Sequence, residues 1–172
     1  MKNQIKRFIL NLIYKSELKN RPKKKLKKAL NTTPVIAIIV DSRLNIGVND
    51  FNFIADIFSI SIDDVKFLWY KSPIFHDHSS HMRIDIDDIS LTGKINEEFN
   101  LFFDQQYDLL INVYQKNTII MKLLSLKVKY HFAIGFTPVD LQLNDIVFNF
   151  DPQNINIFHI EMSKYLKIIY KA

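Results

Sequence analysis

Apolar residues in this chain fall into short continuous runs separated by stretches of helical spacing. Pro34 to Val40 reads PVIAIIV, and Leu109 to Val113 reads LLINV. Runs of this length, rich in β-branched residues and lacking alternation, suit strands covered on both faces. Val65–Tyr70 (VKFLWY), Tyr130–Ile134 and Asp145–Phe150 (DIVFNF) are further strand candidates. Arg83–Asp88 (RIDIDD) alternates, which predicts a short, half-exposed strand nearer an edge. Helical patterns stand between these runs. Asp50 is placed to cap a helix from Phe51 to about Ser59, with Phe51, Ile54 and Phe58 inward. Asn96–Asp104 predicts a short helix carrying Phe99, Leu101, Phe102 and Phe103, and Thr118–Leu126 another. Asn154 caps a C-terminal helix with Phe158, Met162, Tyr165, Leu166 and Ile169 on one face.

Strands that alternate with helices define an α/β class. The expected architecture is a three-layer α/β/α Rossmann-like sandwich with a mostly parallel sheet of five or six strands. Val35–Val40 and Leu109–Val113 should be its central, adjacent strands, because their apolar character needs cover on both sides. Residues 107–137 carry the clearest βαβ pattern, with two apolar runs bracketing a helix and the second ending at Gly135.

The N-terminal stretch differs. Ile5, Phe8, Ile9, Leu12 and Ile13 recur at helical spacing, with Lys2, Lys6, Arg7 and Lys15 largely off that stripe. The stripe is expected to pack on the sheet with the lysines in water. Attachment to a membrane surface and binding of RNA or another acidic partner are the alternatives. Pro22 should end the helix near Asn20, and Lys23–Leu30 is a charge run, helical or linker-like.

Charge sharpens this division. The net charge of +5 is distributed unevenly, for residues 1–30 hold eleven Lys or Arg against the single acid Glu17. The remainder holds twelve basic and seventeen acidic groups. A basic amphipathic arm over residues 1–30 on a mildly acidic domain over residues 31–172 suggests an anionic partner for the arm. The contacts expected are Lys2, Lys6, Arg7, Lys15, Lys23, Lys24, Lys25, Lys27 and Lys28. A protein partner is a further option. No apolar run reaches the ~18 residues of a membrane-spanning helix, and residues 1–14 lack the pattern of a signal peptide. The expected location is cytoplasmic, with peripheral association to the inner membrane as the variant.

Candidate chemistry is sparse. The chain has no Cys, so it has no disulfide, thiol nucleophile or Cys-bound metal. After the first strand, VDSRLNIGVND offers Gly47 alone where a dinucleotide site would want G-x-G-x-x-G. Neither G-x-x-x-x-G-K-[ST] nor G-x-S-x-G occurs. No cofactor is expected, and the chain leans away from enzymes. In open α/β sheets ligands bind beyond the carboxyl ends of the strands. The groups expected there are Asp41, Ser42, Arg43, Asn112, Tyr114, Gln115, Gly135, Thr137 and Asp140. Otherwise Asp41 and Ser42 merely cap a turn. His76, His78 and His81 in HDHSSH match no standard metal spacing and read as a solvated loop, so no metal is expected. Asp85, Asp87 and Asp88 read as an exposed strand face rather than a cation site. Phe67 and Trp69 read as core.

Two resemblances stand beside this reading. Tyr107-Asp108-Leu109-Leu110-Ile111 and Ile134-Gly135-Phe136 resemble a strand–helix–strand stretch in the N-terminal domain of the ADP-heptose lipopolysaccharide heptosyltransferases. That resemblance implies a degenerate glycosyltransferase-like half-fold, since the second domain that holds their nucleotide-sugar is missing and Asp41-Ser42-Arg43 replaces their Gly-Asp turn. Over most of its length the chain resembles an uncharacterised family of single-domain Bacteroidetes proteins. The basic helix, YDLLIN and the Gly135-Phe136, Asp140 and Leu143-Asn144-Asp145 stretch carry that likeness. It implies a Rossmann-like protein without a catalytic assignment. The leading expectation is a non-catalytic or regulatory binding module. The alternatives are a small enzyme or nucleotide-sugar binder at the sheet edge, or a structural subunit partner.

Overall fold

The computed structural model describes residues 2–20, 33–71, 81–115, 118–139 and 141–171. Six strands form one all-parallel sheet: β1 (Ile36–Asp41), β2 (Lys66–Tyr70), β3 (His81–Ile84), β4 (Gln106–Val113), β5 (Lys129–Phe136) and β6 (Ile146–Phe148). Their order is β3-β2-β1-β4-β5-β6. β1 and β4 are central and adjacent, with Ile36 opposite Leu109 and Val40 opposite Val113. Every residue of β1 is buried, which is why its sequence does not alternate.

Helices cover both faces. α2 (Asn52–Phe58) and α5 (Ile155–Lys171) lie on one side. There Phe51, Ile54, Phe58, Phe158, Met162 and Leu166 pack on Ile36, Ile38 and Val40 of β1 and on the stacked Phe67 and Trp69. α1 (Lys2–Asn20), α3 (Asn100–Phe103) and α4 (Ile119–Lys127) cover the other, over Ala37, Ile39, Leu68, Leu110 and Ala133. α3 is only one turn long, but the crossover between β3 and β4 adds Ile86, Ile89, Phe99, Phe102 and Phe103 to this core, and α1 packs beside α4 on the same face.

Several sequence expectations change. The inward face of α1 is Leu10 and Tyr14, both buried, with Ile13 and Leu18 beside them. Ile5, Phe8 and Leu12 of the expected packing stripe point to solvent, 56%, 64% and 52% exposed. Two paired charges hold the buried side: Lys6 Nζ donates to the Ile86 carbonyl at 2.6 Å, and Glu17 meets Lys127 at 3.1 Å. Lys6 therefore turns inward and is not a free surface cation. The expected strand at Arg83–Asp88 is shifted: β3 ends at Ile84, and Ile86–Asp88 is a 3-10 turn. Asp85 accepts from Ile86 N and Asp88 from Asp85 N, so these carboxylates close a turn rather than line a strand. His81 belongs to β3, buried and edge-on to Phe67 at 5.0 Å, and is not a loop residue. Asp50 does not cap α2. It accepts from Gly47 N and closes the 3-10 turn Val48–Phe51 that precedes the helix. Of the apolar residues in the expected 96–104 helix, Leu101 is 84% exposed, while Phe99, Phe102 and Phe103 are buried.

Candidate functional site

Strand order reverses between β1 and β4, so the carboxyl ends of these two strands flank the fold's switch point. The groups predicted for a ligand separate there into two sets.

The first set stands at the end of β1. Asp41 is 2% exposed and Arg43, two residues on, folds back over it. Asp41 Oδ1 accepts from Arg43 N at 3.1 Å and from Nε at 2.7 Å, and Oδ2 accepts from Nη2 at 2.5 Å. This bidentate pair holds the Arg43 guanidinium above its ordinary pKa. The guanidinium carbon stands 5.7 Å from the centre of the Tyr70 ring at the end of β2. Burial raises the Tyr70 phenol's pKa, and the Asp85 carboxylate adds to that while Arg43 and Arg7 oppose it. Asp41 thus caps the 3-10 turn Ser42–Leu44 and is paired with its own neighbour. Ser42 Oγ is buried without a hydrogen-bond partner among the described residues, and so is Thr118 Oγ1 at the start of α4. Gln115 is half-buried after β4.

The second set is a polar chain inside the layer between β4, α4 and β5. Asn112 is fully buried, and its Nδ2 donates to Asn144 Oδ1 at 2.8 Å. Ser125 of α4 reaches Asn112 Oδ1 at 2.8 Å and the Met121 carbonyl at 2.9 Å. A hydroxyl has one proton, so the Ser125 hydroxyl serves these two acceptors in turn. Tyr114 OH, 3.0 Å away, is then the donor to Ser125 Oγ. Gly135 pairs with Asn112 in the sheet, and a Cβ there would stand 2.7 Å from Asn144 Cγ. The glycine exists to admit the Asn144 amide. Tyr130 OH donates to the Leu143 carbonyl, Asp145 accepts from Ala133 N, and Thr137 Oγ1 donates to the Phe148 carbonyl. The bonds to Asn144, Leu143 and Asp145 fasten the segment before β6 to the sheet, and the Thr137 bond ties β6 itself to the end of β5.

The switch point therefore brings Asp41, Ser42 and Arg43 to one edge, and puts Asn112, Tyr114 and Gly135 into a closed internal network. Thr137 follows the end of β5 and bonds to Phe148 of β6, and Asp140 lies outside the described residues. His76, His78, Lys23, Lys24, Lys25, Lys27 and Lys28 also lie outside them. Ser125 and Tyr70 were missed by sequence reasoning. A Ser within the apolar run IIMKLLSLK was the available signal for Ser125, since a buried hydroxyl needs partners. No group of three His, Asp or Glu side chains that could hold a metal occurs among the described residues. No helix among them is long and apolar enough to cross a membrane.

The molecule is thus a doubly wound α/β domain with an extra N-terminal helix on one face. The chain belongs to a family of unknown function, DUF6913, whose pattern matches residues 6–169 and so takes in nearly all of α1 as well as the sheet. No curated protein and no solved structure matches it.

Proposed function

We propose that this protein is a non-catalytic binding module that docks on an anionic lipid surface through the outer face of α1. The observation that carries the reading is the exposure of Ile5, Phe8 and Leu12 on the side opposite Leu10 and Tyr14. Single exposed apolar residues need no explanation, but an aligned group of large ones does. Lys15 and Lys19 are exposed on the same helix, within the stretch that holds eleven basic groups against one acid. Apolar side chains flanked by cations suit a bilayer carrying acidic headgroups. Each side chain is already about half covered, so insertion adds about 1–1.5 kcal/mol apiece, and each nearby cation about 1 kcal/mol. RNA would use the cations alone and leave the apolar group in water. The sheet then serves as a scaffold, in keeping with a degenerate glycosyltransferase-like half-fold whose switch-point groups bond to one another.

The test is sedimentation of the full chain with phosphatidylcholine vesicles, with and without phosphatidylserine, beside an RNA gel shift, each at low and high salt. Binding to acidic vesicles that weakens by about tenfold in Phe8→Ser supports the reading. RNA binding unaffected by Phe8→Ser, without vesicle binding, overturns it.

A second reading has its own observation. The Ser42 and Thr118 hydroxyls at the carboxyl edge, buried and without a partner among the described residues, favour a small ligand there, of the nucleotide or nucleotide-sugar class. A thermal-shift screen with such compounds tests it, and stabilisation by one of them that is lost in Ser42→Ala would support it.

A further inference from the structure

A second feature stands beside α1. The Ser90–Lys94 turn is capped at its base by the Ile89–Ile95 bridge and by Ser90 N donating to the Lys94 carbonyl at 2.8 Å. Ser90 Oγ accepts from Lys94 N at 3.0 Å and lies 2.8 Å from Thr92 Oγ1. Such closure fixes the turn before anything binds it. Two contacts align the segment with α1: Ile86 meets Lys6, and Gly93 meets Ile13. Gly93 has φ +78°, and an added Cβ would come within 3.2 Å of Ile13 Cγ2, so only glycine both makes the turn and allows this approach. The tip of the turn, where polar residues are usual, is Leu91, and it is 54% exposed.

At 3.6 residues per turn, Ile9 and Ile13 lie between the outer pole of α1 and the flank that Gly93 touches. Both are half-buried. They stand between the exposed Ile5, Phe8 and Leu12 and the turn, which meets α1 at Ile13 and Leu10. Lys94 is offset by Glu97 at 3.6 Å, and Asp87 and Glu98 near the turn are exposed acids, so the leucine and not charge is what the turn offers a bilayer.

We propose that the Ser90–Lys94 turn is a second membrane foot, inserting Leu91 into the same acidic bilayer that the outer face of α1 engages. This rests on the reading of α1 above. Two feet, one a helix and one a turn, would fix the tilt of the domain on the lipid, which a lone helix could not.

The experiment uses the full chain and vesicles containing phosphatidylserine. Leu91→Ser should weaken binding about fivefold to tenfold at every salt concentration, without altering the salt dependence or the melting temperature. Lys15→Gln should instead flatten the salt dependence. In Leu91→Trp, the emission added over that of the buried Trp69 should shift to the blue on vesicle addition and be quenched by brominated lipid. Vesicle binding that Phe8→Ser weakens and Leu91→Ser leaves unchanged, with no shift in Leu91→Trp, overturns the second foot and leaves α1 standing. No vesicle binding by the unsubstituted chain overturns both. A Leu91→Trp shift that follows protein concentration without lipid assigns the surface to a second copy of the chain and overturns the membrane foot.

Discussion

The polar chain behind β4 and the outer face of α1 are opposites. Behind β4, the buried Asn112, Ser125 and Tyr114 and the half-buried Asn144 are bonded to one another. On α1, Ile5, Phe8 and Leu12 are apolar and lie in water. One region has polar groups with their bonding capacity used inside the protein. The other has apolar groups about half open to solvent. A switch point is where a doubly wound fold ordinarily binds, yet here much of its polar equipment holds the last strand in place. Unmet demand lies instead on the outer faces of helices, on α1 at Ile5, Phe8 and Leu12 and on α5 at Ile157, Ile160 and Ile168, and only the α1 face stands in the basic stretch. Bonding and burial left open say more about where a partner goes than the position of a site in the fold.

The comparison breaks first if α1 is only an appendage. Leu10→Ala should cost about 2–5 kcal/mol, as for other core truncations, because Leu10 is fully buried under the sheet. Urea unfolding measures it, and a cost under 0.5 kcal/mol would detach the helix from the core.

Next comes the network. Gly135→Ala forces the Asn144 amide away from Asn112, for about 2–3 kcal/mol of lost packing and hydrogen bonding. If the clash with Asn144 is the cause, Gly135→Ala in an Asn144→Ala background should cost less than it does alone, which a double-mutant cycle resolves.

Tyr107 gives a smaller effect with a pH dependence. Its hydroxyl donates to the Phe102 carbonyl at 3.0 Å inside the protein, and burial raises the phenol's pKa. The folded state therefore keeps a proton that the unfolded chain gives up near its ordinary pKa of about 10. Stability from this group is complete below that pH and is lost as pH rises above it. Tyr107→Phe should cost about 1 kcal/mol at neutral pH and make the alkaline decline shallower. Equal alkaline slopes in the two proteins would count against it.

The fold was legible in the sequence because its central strands are covered on both faces, and continuous apolar runs such as Ile36–Val40 have few other solutions. α1 was misread for a specific reason. The apolar group with the best helical spacing was the exposed one. The buried side carries Lys6 and Glu17, whose charges are admissible only because the Ile86 carbonyl and Lys127 meet them. No periodicity announces partners eighty or more residues away in sequence. Asp85–Asp88 failed differently. Alternation suggested a strand, but side chains that accept from their own backbone favoured a turn. At the switch point, residue types marked Asn112 and Gly135 as unusual, but nothing local shows that each answers to Asn144.

The measurement that tests the central claim most directly sets the two sides of one helix against each other. Phe8→Ser and the unsubstituted chain are compared for melting temperature and for affinity to vesicles containing phosphatidylserine. The prediction is a stability change within about 0.5 kcal/mol, as for other exposed sites, with affinity about tenfold weaker. Equal affinity, or a loss of stability as large as that of Leu10→Ala, would contradict the claim that α1 holds the fold with one face and binds with the other.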